Sequence, residues 1–83
     1  MRLKYDIFAN GKRFRPTKYV EGKKATREYL KILETKGKEE FGKFKDFKVS
    51  KTYLYTDTEP IGIEFSFTNN DGIRVRHTYE LVN

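Results

Sequence analysis

Few side chains in this sequence are of the types that carry out nucleophilic catalysis. The serines are Ser50 and Ser66, and neither lies in the G-x-S-x-G turn that exposes a catalytic serine. The one histidine, His77, falls on the apolar parity of a predicted strand, which favours a structural role at the edge of the core. Paired carboxylates stay open as catalysts, but no spacing brings two of them together. Because a nucleophile needs a base beside it, we expect that the protein is not an enzyme.

The residue types that usually bind metals or nucleotide phosphates are also scarce. A zinc site takes three or four ligands, and the chain has one histidine and no cysteine. Residues 22–26 contain a Gly-Lys pair, as a phosphate-binding loop does. However, Thr17 stands where that motif has its first glycine, and Lys24 stands where it has serine or threonine. We therefore expect neither a metal nor a cofactor.

The chain has 83 residues and a net charge of +6, which is unevenly distributed. Residues 1–56 contain sixteen Lys and Arg against seven Asp and Glu, whereas residues 57–83 contain two against five. This excess predicts an anionic partner, either nucleic acid or an acidic protein surface; the alternative is a lysine-rich surface that contacts only water. No signal-peptide stretch or membrane-spanning segment is evident, so we expect a soluble cytoplasmic protein without a membrane partner.

The alternation of apolar residues indicates the elements that must position these charges. From residue 47 onward, apolar side chains keep to odd-numbered positions, which predicts a sheet with one apolar and one polar face. Strands are predicted over 2–8, 45–56, 61–68 and about 73–81. In the strand over 45–56, the third in chain order, the inward residues are Phe47, Val49, Tyr53 and Tyr55, with Lys51 as the exception.

A first hairpin is predicted at Asn10-Gly11, the strongest short signal for a type I′ turn. A two-residue loop there sets Ile7 opposite Phe14 on the apolar face and Asp6 opposite Arg15 on the polar face. The same register would require a hydrogen bond from the nitrogen of Pro16, which has no hydrogen. The pairing must therefore end near Arg15 or contain a bulge, and this strand is predicted to lie at an edge.

Residues 23–36 are predicted to form the one helix, because apolar residues recur there at helical spacing. Gly37 is a plausible C-terminal stop in the left-handed conformation. The alternative continues the helix through Gly37 to Phe41, at a cost of about 1 kcal/mol for an internal glycine. We favour the stop.

The last hairpin is predicted to turn through the three residues 70–72, with Gly72 in the left-handed region. This loop keeps apolar residues opposite one another in four pairs: Phe67 with Val75, Phe65 with His77, Ile63 with Tyr79, and Ile61 with Leu81. The predicted fold is a single α+β domain over 1–83, a mostly antiparallel five-stranded sheet in the order β-β-α-β-β-β with the helix on its apolar face. How strands three to five pair with the first hairpin stays open.

The polar face of this sheet is predicted to be basic and to carry exposed rings. Such a surface resembles the platform on which cations follow phosphates while rings stack on bases, so the favoured function is a non-enzymatic nucleic-acid-binding module. The residues predicted to bind nucleic acid or an acidic partner are Arg13, Arg15, Lys48, Arg74, Arg76, Phe8 and Tyr19.

The basic hairpin and residues 23–30, which follow it, resemble part of a known family of DNA-binding domains. The hairpin and these residues are similar to the arm-type DNA-binding domain of tyrosine recombinases, in which a sheet followed by one helix contacts the DNA major groove. The similarity covers roughly residues 1–40 and implies DNA binding through the sheet. The chain departs from that pattern in lacking a third predicted strand before the helix and in having three strands after it.

A second functional class fits the small size and the lack of a catalytic set. It is a protein-binding inhibitor or adaptor that acts on a host protein, of the kind that viruses and mobile elements encode. An acidic partner surface would suit the basic balance, and an edge strand could accept a partner strand. Self-association through such an edge is a third class, and the sequence leaves the oligomeric state open.

Overall fold

In a computed structural model, which describes residues 1–55 and 57–83, the chain is an α+β fold with an antiparallel sheet and one α-helix. The strands and helix, in chain order, are β1 (Arg2–Ala9), β2 (Lys12–Arg13), β3 (Lys18–Val20), α1 (Arg27–Phe41), β4 (Lys45–Tyr53), β5 (Pro60–Thr68) and β6 (Arg74–Val82), with a short 3-10 turn (Gly22–Lys24) before α1. The predicted fold class is therefore confirmed. No helix in these residues is both long and apolar enough to cross a membrane.

The sheet order is β2-β1-β6-β5-β4, and β3 also pairs with β1. Strands β2 and β3 thus share the outer side of β1, while β4 forms the opposite edge. The last strand, β6, pairs with the first, from Arg2 opposite Val82 to Ala9 opposite Val75. This answers the question of strand order that the sequence leaves open.

The first hairpin turns as predicted but keeps its register only briefly. Asn10 and Gly11 both have positive φ, as a type I′ turn requires, and the Phe14 N–H donates to the Ile7 carbonyl at 2.7 Å. Beyond Pro16 the register shifts by two residues, so that Lys18 pairs with Tyr5. The predicted edge strand with an interruption is confirmed, because β2 and β3 are separated at the proline.

The last hairpin follows the predicted register. Phe67 lies opposite Val75, Phe65 opposite His77 and Ile63 opposite Tyr79. Gly72 has φ of 77°, and its N–H donates to the Asn69 carbonyl at 3.0 Å. The three-residue loop is therefore correct.

The helix is longer at its C-terminal end than the favoured prediction. It starts at Arg27, where the Thr26 hydroxyl accepts a hydrogen bond from the Tyr29 N–H at 3.1 Å, and it continues through Gly37 to Phe41. The predicted stop at Gly37 is wrong, and so is the predicted start at residue 23. Gly37 is buried against the ring of Phe65, so its role is to let the helix approach the sheet closely rather than to end the helix.

The core lies between α1 and β5, where Leu30 and Phe65 are the most deeply buried large side chains. Lys51 also lies on this face, and its ammonium pairs there with the Glu34 carboxylate of α1 at 2.8 Å. Tyr53, the last residue of β4, is on the helix side as predicted, where it lines a concavity with Leu30, but it is 48% exposed. The inward placement of Tyr55 is wrong, because Tyr55 lies beyond β4 and is 93% exposed. Thr56, the predicted end of that strand, lies outside the described residues.

Candidate functional site

The sheet face opposite α1, called the open face below, carries the even-numbered side chains of β1, β5 and β6. The α-helix packs on the other side, against Leu3, Ile63 and Phe65. The open face is polar, as predicted, because hydroxyls, cations and carboxylates alternate with the core side chains along every long strand. It is the largest surface on which the predicted binding residues could meet.

Four of the predicted binding residues lie in one line across the open face. The strand register sets Arg13 opposite Phe8, Phe8 opposite Arg76, Arg76 opposite Ser66 and Ser66 opposite Lys48. We call these five residues the basic row. The row crosses four inter-strand spacings of roughly 4.8 Å, so it is about 19 Å long.

The ring of Phe8 organises the row at its β1 end. The guanidinium carbon of Arg76 lies 4.5 Å from the ring centroid, and that of Arg13 lies 5.6 Å away. Both distances are within the range of cation–π attraction. Arg76 also approaches Glu64 at 3.7 Å, a long and exposed ion pair that leaves most of its donors free. Lys48, at the other end of the row, is exposed and has no ion pair among the described residues.

Asp6 is a buried carboxylate that positions the Arg13 end of the row. It is only 4% exposed, and its Oδ1 accepts hydrogen bonds from the Arg13 Nε at 3.2 Å and from the Thr17 hydroxyl. Burial alone would raise the pKa of Asp6, but the bonds from Thr17 and Arg13 and the charges of Arg13 and Lys4 outweigh it and lower the pKa. The carboxylate therefore stays ionised and holds Arg13 beside Phe8.

Arg74 lies on the open face next to the row, but its donors are already engaged. Its guanidinium donates to the Asp46 carbonyl at 3.2 Å and to the Ser66 hydroxyl at 3.1 Å, with a longer contact to Thr68. These bonds connect β6 with β5 and with the irregular start of β4, where Asp46 has positive φ. The geometry supports a structural role for Arg74.

Two other predicted binding residues lie away from the row. Tyr19 is on the open face opposite Lys4, with Arg2 over its ring at 4.3 Å, so it is about 13 Å along the sheet from Phe8. The prediction places Arg15 on the wrong face of the sheet. Arg15 lies in the unpaired stretch between β2 and β3, where strand parity does not apply, and its guanidinium is on the helix side, 4.7 Å from the Tyr5 ring centroid. Its predicted pairing with Asp6 is therefore wrong, and Asp6 pairs with Arg13 instead.

Beside the row, the open face has a concavity of about 270 Å³ that the sequence analysis missed. Gly62 forms part of its lining, and the absence of a side chain there deepens it. Glu64 and Glu80 also line it with Asp6, so its three carboxylates outnumber the two cations there, Lys4 and Arg76. The even-numbered positions of both glutamates could have revealed them, because that parity places them outward.

No group of three His, Asp or Glu side chains in residues 1–55 and 57–83 is arranged to hold a metal ion. Comparison of the chain with protein-family models, with curated proteins and with solved structures finds no match.

Proposed function

We propose that the protein is a nucleic-acid-binding module that binds a single strand along the basic row. The observation that supports this function is the transverse arrangement of three cations, one ring and one hydroxyl on an uncovered sheet face. None of the five side chains is a core residue. Asp6 holds Arg13 through its Nε, and the Ser66 hydroxyl accepts a hydrogen bond from Arg74, so the exposed Arg76 and Lys48 are the cations best placed to contact a ligand.

Each part of the row has a chemical counterpart in a single strand. Arg13, Arg76 and Lys48 would contact phosphates, and Ser66 would donate a hydrogen bond to a phosphate or sugar oxygen. The half-exposed ring of Phe8 and the guanidinium planes beside it would stack on unpaired bases. Bases in a duplex are already stacked on each other, so this geometry favours single strands.

The carboxylates on the same face would restrict the path of the strand. Glu64 and Glu80 line the concavity next to the row, where they repel phosphates. A bound backbone would therefore follow the row and the Lys48 side of the sheet and avoid the concavity beside Glu64 and Glu80.

The first test is fluorescence anisotropy with mixed-sequence single-stranded DNA and RNA over a range of salt concentrations. Replacing Arg76→Gln and Lys48→Gln together should weaken binding and reduce the slope of log affinity against log salt by about 1.4, or roughly 0.7 for each lost phosphate contact. The matched control replaces Lys23→Gln and Lys36→Gln, which removes the same charge from exposed positions off the open face. No binding at low salt, or equal effects of the two double variants, would refute the proposal.

The second test addresses stacking. Phe8→Leu keeps an apolar side chain but removes the ring, and it should cost about 1 kcal/mol or more of binding free energy at constant salt. Phe14→Leu is the control, since Phe14 is an exposed ring on the other face. Equal affinity of Phe8→Leu and the unmodified protein would remove stacking from the proposal.

A further inference from the structure

The helix side of the sheet has an apolar region that α1 does not cover. It is a groove of about 290 Å³, lined mainly by Ile7, Ala9, Phe14, Ile73 and Val75, and we call it the hairpin groove. Phe14 is 69% exposed although it lies opposite Ile7 on the apolar face. An exposed ring that adjoins several aliphatic side chains forms a contiguous apolar patch, and such patches mark interaction sites.

The position of the helix explains why the groove is open. Gly37 of α1 packs against Phe65 of β5, and at the end of the helix the Phe41 ring stacks on His77 at 4.7 Å. The Phe44 ring covers Phe67 at 4.9 Å. These rings close the β5 side, so the apolar face of β2 and of the adjoining ends of β1 and β6 stays uncovered.

The border of the groove is cationic. Arg15 lies on this side over the Tyr5 ring, and its buried Nε has no hydrogen-bond partner among residues 1–55 and 57–83. Lys12 pairs with Ala9 and is exposed, so it shares this face at the end of the groove. The groove lining contains no carboxylate. An occupant with both apolar and anionic groups would therefore satisfy the lining and the border together.

We propose that the hairpin groove binds an acidic segment of a partner protein. Apolar side chains of that segment would cover Phe14 and Val75, and a carboxylate would accept hydrogen bonds from Arg15. A second copy of this chain fits less well, because it would bring two cationic borders and two net charges of +6 together. A nucleobase fits less well, because its polar edges would lose water against aliphatic side chains.

The test is a two-dimensional amide NMR titration with a short acetylated peptide that alternates leucine and glutamate. In an extended peptide this alternation places apolar groups on one side and carboxylates on the other. The amides of Ile7 and Val75 should shift, while Ser66 on the open face should not. Peptides that alternate leucine with lysine, or serine with glutamate, should bind at least ten-fold more weakly, because each lacks one half of the recognised chemistry.

Two variants test the groove itself. Arg15→Gln should weaken binding of the leucine–glutamate peptide by about ten-fold, whereas Arg2→Gln, a matched change on the open face outside the basic row, should leave it unchanged. Ala9→Glu keeps Arg15 but places a carboxylate in the groove, and it should also weaken binding. The amide spectrum of each variant reports whether the fold is retained.

Four outcomes would overturn the proposal. Equal effects of Arg15→Gln and Arg2→Gln, or shifts confined to the open face, would show that the peptide does not use the groove. A concentration-dependent dimer in sedimentation that Phe14→Ser abolishes would assign the groove to a second copy. Shifts of Ile7 and Val75 on addition of an oligonucleotide would assign it to nucleic acid.

Discussion

Replacing Gly37→Ala should destabilise the protein, although alanine is the better helix former. In an exposed helix interior this change would stabilise by about 1 kcal/mol. Here the added methyl carbon would overlap the Phe65 ring, with the Cε2 atom at 2.6 Å, which is far inside van der Waals contact. The sign of the effect therefore depends on whether the ring can move.

The surroundings of Phe65 indicate that its ring cannot move away. The side chain is 1% exposed, and the rings of Phe41, Phe47 and Tyr79 lie 5.9, 6.3 and 6.2 Å from it, centroid to centroid. Overfilling a packed core costs typically 1–3 kcal/mol, and three overlapping ring atoms place this case near 3 kcal/mol. After subtraction of the helix gain, the expected loss of unfolding free energy is about 2 kcal/mol.

Urea unfolding followed by far-ultraviolet circular dichroism measures this difference. Lys36→Ala, the neighbouring exposed helix position, is the control and should change the unfolding free energy by less than about 0.5 kcal/mol. In a double-mutant cycle, Phe65→Leu should relieve part of the clash, so the two losses should add to more than the loss in the double variant. A Gly37→Ala protein as stable as the unmodified one would refute the close approach of α1 to β5.

Lys51, His77 and Gly72 give three further expectations. Lys51→Met should lower the unfolding free energy by less than about 1 kcal/mol, because the ion pair with Glu34 is partly exposed and Lys38 still pairs with the same carboxylate. Urea unfolding measures this difference, and a larger loss would contradict the expectation. Burial and a nearby guanidinium lower the pKa of His77 below 6.5, so the unfolded chain takes up a proton at a higher pH than the folded protein. The unfolding free energy should therefore fall as the pH decreases below 6.5. A His77→Gln protein should show a weaker dependence of the unfolding free energy on pH, and an unchanged dependence would contradict the expectation. Gly72→Ala should cost about 1–2 kcal/mol by thermal or urea unfolding because φ is 77°, and Gly72→Asn should cost less.

The two hairpins were predictable because local signals determine them. In the last hairpin, the apolar parity of Phe67 and Val75 allows one register, and the glycine at residue 72 allows one loop. The order of the strands was not predictable, because parity assigns a side chain to a face but says nothing about the neighbouring strand. Gly37 was misjudged for a similar reason: its function depends on Phe65, a residue distant in sequence.

The candidate site was predictable only as far as strand parity holds. Arg13, Phe8, Arg76 and Lys48 each have a paired residue on a neighbouring strand, and the structure places all four on one face. Arg15 lies in the unpaired stretch between β2 and β3, and parity fails there because the chain is not a strand. The hairpin groove was missed because the prediction placed the helix on the apolar face without its width, and a helix about 10 Å wide covers only two strands of a sheet.

The central position of β6 has a consequence for how this chain reaches its native state. Strands β1, β2 and β3 have no pairing with β4 or β5 among the described residues, and β6 joins the two groups. β6 is also the last of these strands in chain order, so during synthesis one side of β1 has no partner strand until β6 has been made. Contacts as distant in sequence as Arg2 with Val82 slow folding, and an unpaired β1 in the meantime is a point of attack for aggregation and for proteases.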